Sequence, residues 1–130
     1  MKLSEIMTKN PQAIDPRETV GQAFHAMTLG GIRHLPVVER GRLIGIVTDR
    51  DLRAYAGSPE VLVGWIMTTE PKVGKPDEDA REVARRMAEM KIGCLPVVDE
   101  VGGVVGIVTI VDILTGFAKL RDSGPPAPAA

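Results

Sequence analysis

The sequence predicts a fold of mixed helices and strands, built from two tandem copies of one strand-helix-strand-strand-helix unit. Two observations lead to this prediction: the chain repeats itself at an offset of 60 residues, and each copy carries the same order of helical and extended patterns. A unit of about 50 residues is marginally stable alone, so we expect the two copies to bury a shared face. The 130 residues, 44% of them hydrophobic, suit this arrangement and are too few for a catalytic domain beside a separate regulatory one.

The duplication is visible in short identical motifs. Ile6-Met7-Thr8 recurs as Ile66-Met67-Thr68, and Leu35-Pro36-Val37-Val38 recurs as Leu95-Pro96-Val97-Val98. A one-residue insertion then changes the offset, after which Gly, Ile, Val, Thr and Asp recur at matched positions. Chance matches do not keep a constant offset over two motifs, so the chain is a tandem repeat.

The first long helix of each copy is predicted from a start signal and an apolar face. In the first copy Asp15 is placed to cap the helix, Pro16 suits its first position, and Gly30-Gly31 ends it. In the second copy Pro76 is the predicted start. The apolar faces are Val20, Ala23, Phe24 and Met27, and Ala80, Val83, Ala84 and Met87.

A hairpin and a second helix follow in each copy. Apolar runs flank polar turns, as in Leu35–Val38 and Leu43–Val47, which is typical of paired strands. Thr48 and Thr109 then open helices predicted over 49–56 and 110–120. The domain organisation that follows is a first repeat at 1–56, a linker at 57–64, a second repeat at 65–120 and a disordered Pro- and Ala-rich tail at 121–130.

The combination of repeated Leu-Pro-Val-Val, Gly-Ile-Val-Thr-x-x-Asp and Ile-Met-Thr resembles the cystathionine β-synthase (CBS) domain, present as a tandem pair over about residues 1–120. The resemblance implies an α+β fold in which two β-α-β-β-α repeats pack sheet to sheet with pseudo-twofold symmetry. It also implies a homodimer, regulatory binding of AMP, ADP, ATP or S-adenosylmethionine between the repeats, no catalytic activity and no required cofactor. The output then passes to a separate effector enzyme or transporter.

The chemistry of the Thr-x-x-Asp motif favours two interpretations. Thr48 and Asp51 flank a strand-to-helix turn, where free N–H groups attract phosphate and a carboxylate can accept both hydroxyls of a ribose. A Thr followed three residues later by an acid is also a helix-capping signature, which needs no ligand. The resemblance to the CBS domain favours the ligand, and Thr109 and Asp112 repeat the motif.

The two copies differ where a phosphate needs cations. Arg33, His34, Arg50 and Arg53 in the first copy correspond to Gly93, Cys94, Val111 and Leu114 in the second. We therefore expect unequal sites, with the cleft that uses Thr48 and Asp51 preferring charged nucleotides. The predicted ligand-binding residues are Thr48, Asp51, Arg50, Arg33, His34, Pro36, Thr109 and Asp112.

Other functional classes have weak signals. A net charge of −1 and 3% aromatic residues argue against nucleic-acid binding. Neither a signal peptide nor a spanning segment is expected, which suggests a cytoplasmic protein. His25 lacks a partner at metal-ligand spacing, Cys94 is interpreted as a packing residue, and no catalytic or metal site is predicted. The alternative function is a ligand-free structural or protein-interaction module.

Overall fold

The computed structural model describes residues 1–123, with side chains as far as Lys119. Each half of the chain contains the same succession of a one-turn helix, a two-residue strand, a long helix, a hairpin and a closing helix. The elements are α1 (Leu3–Ile6), β1 (Thr8–Lys9), α2 (Val20–Gly30), β2 (His34–Glu39), β3 (Arg42–Thr48), α3 (Asp49–Arg53), α4 (Val63–Ile66), β4 (Thr68–Thr69), α5 (Ala80–Met90), β5 (Cys94–Val98), β6 (Val104–Thr109) and α6 (Ile110–Ser123). The mixed fold and its internal duplication are confirmed.

The two halves exchange their leading strands. One sheet has the order β2-β3-β4 and the other β1-β6-β5, so β1 of the first copy pairs with β6 of the second, and β4 of the second pairs with β3 of the first. All of these pairings are antiparallel. The contiguous sequence copies are therefore not the packing units, because each sheet is completed by the other copy.

The apolar cores follow the same exchange. Leu3, from the first copy, is fully buried in a core made otherwise by residues of the second copy, including Leu95 and Val108. Val63, its counterpart in the second copy, is fully buried against Leu35 and other residues of the first. Burial of these side chains from water stabilises both cores and ties the halves together.

The predicted starts of the two long helices are wrong by four residues. Thr19 caps α2, since its Oγ1 accepts a hydrogen bond from Gln22 N at 3.1 Å, and Asp79 caps α5 by accepting one from Arg81 N at 3.4 Å. Asp15 instead closes a turn by accepting from Arg17 N at 2.8 Å. Thr19 is also a good capping residue, and the turn at Asp15 uses the same chemistry as a cap.

The end of α2 agrees with the sequence prediction. Gly31 follows α2 in the left-handed conformation, with φ of 62°, and its N–H bonds back to Met27 O and Thr28 O. In the second copy Lys91 takes the same conformation with φ of 55°. α6 ends at Ser123, and the remainder of the tail predicted at 121–130 lies outside the described residues. No helix in the described part is long and apolar enough to cross a bilayer.

Candidate functional site: two clefts between the sheets

Two clefts of similar size lie between the sheets. The first has a volume of about 560 Å³ and the second about 450 Å³, both within the range of small-ligand sites. Each is lined by residues of both copies. Most residues that line one cleft occupy the repeat positions that correspond to residues lining the other. The first cleft is lined by His34, Ile46, Thr48, Asp49, Arg50, Thr68, Glu70, Pro71, Lys72, Lys91, Ile92, Gly93, Cys94 and Pro96. The second is lined by Thr8, Pro11, Gln12, Gly30, Gly31, Ile32, Arg33, His34, Ile107, Thr109 and Val111.

Thr48 stands at the junction of β3 and α3 and lines the first cleft. Its Oγ1 accepts from Asp51 N at 3.2 Å, and Asp51 Oδ2 accepts from Thr48 N at 3.0 Å. The capping alternative is therefore present in the structure, as a reciprocal pair of bonds. Asp51 is not part of the cleft lining, and within residues 1–118 no donor is placed on its Oδ1.

The repeated pair at the second cleft is more fully bonded. Asp112 Oδ2 accepts from Thr109 N at 2.9 Å and from Thr109 Oγ1 at 3.2 Å. Its Oδ1 accepts from the Thr8 hydroxyl at 3.1 Å, and Thr8 reaches this position through the exchanged strand β1. Both oxygens of Asp112 thus have protein donors, whereas within residues 1–118 the donor to Asp51 is placed on Oδ2.

The cations of the first cleft come from both copies. Arg50 lies on α3, while Lys72 and Lys91 follow β4 and α5 of the second copy. Arg33 lines the second cleft instead of the first, and its carbonyl accepts from Asp49 N at 3.0 Å. Sequence reasoning missed the two lysines because it looked for cations near the Thr-x-x-Asp motif along the chain. Comparison of the two copies would have found them, because the corresponding positions in the first copy are the uncharged Gln12 and Gly31.

The remaining predicted residues are placed as follows. Arg53 is outside both clefts and its guanidinium approaches Asp49 Oδ2 at 3.4 Å. Pro36 is buried in β2 and lines neither cleft, although its counterpart Pro96 lines the first. Cys94 is 8% exposed, and burial raises the pKa of its thiol to about 12, with Asp112 adding to the effect. A thiol with that pKa is a poor nucleophile.

His34 lines both clefts and is half-buried. Burial lowers the pKa of its imidazole below 6.5; Asp49 opposes this shift, and Arg33 adds to it. Desolvation disfavours the charged ring, so the folded protein holds His34 neutral at pH 7.

The free energy of unfolding should therefore fall as pH decreases from 7 to 5. The unfolded chain binds a proton at His34 near pH 6.5, whereas the folded chain binds it at a lower pH. The contribution of neutral His34 to the free energy of unfolding is therefore complete above about pH 6.5 and decreases below it. His34→Gln should flatten this part of the pH profile of urea unfolding. His25→Gln, which removes an exposed histidine of α2, is the matched control. An unchanged slope in His34→Gln would contradict the assignment.

Comparison with known proteins reveals clear relatives. The family model described as "CBS domain" matches residues 3–58 and again 63–119. A CBS domain-containing protein of Bacillus subtilis, YhcV, is 31% identical, over 94% of this chain and 89% of its own length. The match to inosine-5'-monophosphate dehydrogenase of Methanocaldococcus jannaschii is 33% identical over 87% of this chain, which spans 23% of the dehydrogenase.

Two solved structures are similar to this fold and contain ligands. The CBS domain pair of protein MJ0100, in complex with 5'-methylthioadenosine and S-adenosyl-L-methionine, has a TM-score of 0.85 and 31% identity, covering 92% of this chain and 97% of that one. CBSX2 in complex with AMP has a TM-score of 0.85 and 26% identity, covering 92% and 98%. All of these ligands contain adenosine.

Proposed function

The chain belongs to the CBS-domain family as a tandem pair, and from this premise we propose that its clefts bind adenosine-containing ligands and that binding regulates another protein. The observation that carries the proposal is the placement of Thr48 in a cleft between the sheets, with cations from both copies around it. The adenosine ligands of MJ0100 and CBSX2, both similar over nearly their full length, support the ligand class. In this proposal the pair is a sensor and not an enzyme.

The roles of the residues follow from their donors and acceptors. Asp51 Oδ1 accepts a ribose hydroxyl, after a small movement that brings the carboxylate to the cleft, and the Thr48 hydroxyl donates to the ligand. Arg50 supplies charged donors to phosphate. His34, neutral at pH 7, offers one donor and one acceptor to a base or sugar.

We extend the proposal to a homodimer formed through the start of α6. Ile110, Val111 and Leu114 are 53%, 68% and 65% exposed, and they make an apolar surface on the first turns of that helix. Large exposed apolar groups on a soluble surface favour association. Val111 also lines the second cleft, so a second copy seated here would be in contact with the ligand site. The protein that this dimer regulates is a separate enzyme or transporter in the cytoplasm. A ligand can regulate that protein only if it binds two conformations of the dimer with different affinity.

Unfolding with and without ligand tests the proposal. Urea unfolding with AMP, ADP, ATP or S-adenosylmethionine at 100 times the dissociation constant should raise the free energy of unfolding by about 2.7 kcal/mol. Asp51→Ala should remove the increase for a ligand bound in the first cleft. Because that variant also deletes a capping acceptor, Thr19→Ala is the control: it removes a cap on α2, away from both clefts, and should keep the increase.

The alternative is a ligand-free interaction module. Wild-type protein that sediments as a dimer and gains no stability from any of the four ligands would overturn the sensor proposal in its favour.

A further inference from the structure

We propose that the two clefts bind adenosine ligands of different charge: the first a nucleoside di- or triphosphate, the second a ligand with little negative charge. This inference rests on the proposed function, since it assigns a chemical class to each of the same two sites. It goes further by assigning the preference for a charged ligand to three side chains, Arg50, Lys72 and Lys91. No single copy of the repeat supplies all three.

The two clefts differ in the number of positively charged donors that line them. Arg50, Lys72 and Lys91 line the first cleft from three separate segments. Their counterparts in the second cleft are Val111, Gln12 and Gly31, all without charge. Among the described residues lining the second cleft, Arg33 is the one cation. Successive phosphates of a polyphosphate carry separate charges, so several cations on different walls suit it better than one.

The helix that follows Thr48 contributes little to the attraction of phosphate. α3 has five residues, and the N–H of Asp51 is already bonded to Thr48 Oγ1. A single turn adds little dipole, and this bond removes one of its free donors. α6, which begins at the second cleft, has fourteen residues and adds more attraction for an anion there. A preference of a polyphosphate for the first cleft therefore depends on its side-chain cations.

Two carboxylates line the first cleft and repel an anion, and they differ in their ion pairing. Asp49 is paired with Arg53 at 3.4 Å, outside the cleft, which offsets its charge. Glu70 is exposed on the cleft wall and no such pair is formed within the described residues. Its counterpart is Asn10, and both have φ of 49°. Glu70→Asn is thus a substitution that the backbone accepts, and it should strengthen binding of a polyphosphate.

One substitution at Lys91 should change the stability of the fold and the affinity for ATP in opposite directions. Its φ of 55° is unfavourable for a residue with a Cβ, whereas the counterpart Gly31 adopts 62° without strain. Lys91→Gly should therefore leave the fold at least as stable as the wild type. If Lys91 binds phosphate, the same variant should bind ATP more weakly.

The second cleft is built for weaker binding of a less charged ligand. The Thr8 hydroxyl occupies Asp112 Oδ1, so a ribose hydroxyl must displace a protein hydrogen bond to reach that oxygen. The apolar Val111 stands where the first cleft has Arg50. An adenosine ligand without phosphates fits this wall better than a triphosphate.

The experiment is isothermal titration calorimetry of the full chain with ATP, AMP and adenosine, without magnesium, at two salt concentrations. We expect Lys72→Gln and Lys91→Gly each to weaken ATP binding about five- to tenfold while changing adenosine binding less than about twofold. Glu70→Asn should strengthen ATP binding, and Gln12→Lys, the reverse exchange, should strengthen ATP binding at the second cleft. Added salt should weaken ATP binding most in the wild type, because it screens these charges.

Failure of the charge assignment and failure of the proposed function give different results. If adenosine and AMP bind but Lys72→Gln and Lys91→Gly leave ATP affinity unchanged, the charge assignment is overturned and the nucleotide site remains. If none of the three ligands binds the wild type, the proposed function fails, and this inference with it.

Discussion

Leu3→Ala is expected to lower the free energy of unfolding by about 2–5 kcal/mol, although Leu3 lies near the start of the chain. The side chain is fully buried and belongs to the core that the second copy builds around Leu95, Val97 and Val108. Removing it leaves a cavity in that core. A Cβ on Gly74 would lie 2.7 Å from Leu3 Cδ1, so the cavity borders a closely packed backbone.

Urea unfolding followed by circular dichroism measures the effect. Leu29→Ala is the matched control, since Leu29 is 75% exposed on α2 and its truncation should change the free energy by less than about 0.5 kcal/mol. Because the exchange ties both cores together, Leu3→Ala should still unfold in one transition with an unchanged m-value. A loss no larger than that of Leu29→Ala would mean that the first residues do not complete the second core.

The exchange of leading segments was beyond the reach of sequence patterns. The repeated motifs, the hairpins and the end of α2 are local, and they were predicted correctly. β1 has two residues, Thr8 and Lys9, both exposed, so it carries no periodicity that identifies a strand. Its partner, β6, lies about 100 residues away, and a repeat shows that two segments are alike without showing which copy each one joins.

The same limit applies to the site. The Thr-x-x-Asp pairs were predicted because their spacing is local, and their hydrogen bonds follow from that spacing. Lys72 and Lys91 were not predicted, because both belong to the second copy and lie in the same cleft as Thr48 only through the packing of the two copies. For Lys72 this packing includes the pairing of β4 with β3. Comparing each position with its counterpart in the other copy identifies such residues, since Lys72 against Gln12 is a change of charge within a duplicated frame.

Gly45→Ala is expected to destabilise the fold by about 1–3 kcal/mol, because it places a methyl group where β4 pairs with β3. A Cβ at this position would lie 2.6 Å from Met67 Sδ and 2.9 Å from Thr68 O. The methionine can move, but the carbonyl belongs to the strand that pairs with β3. Gly57→Ala is the control: it has nothing within 4 Å of its Cβ and should be neutral or slightly stabilising.

The same substitution should act on one cleft and not the other. Displacing β4 moves Thr68 and the chain that follows it to Lys72, and this chain is a wall of the first cleft. Gly106→Ala disturbs the equivalent pairing of β1 with β6, next to Met7, and so affects the wall of the second cleft. Calorimetry should therefore show weaker ATP binding in Gly45→Ala than in Gly106→Ala, even if the two variants lose similar stability. Equal loss of ATP affinity would mean that the exchanged strands do not shape their clefts separately.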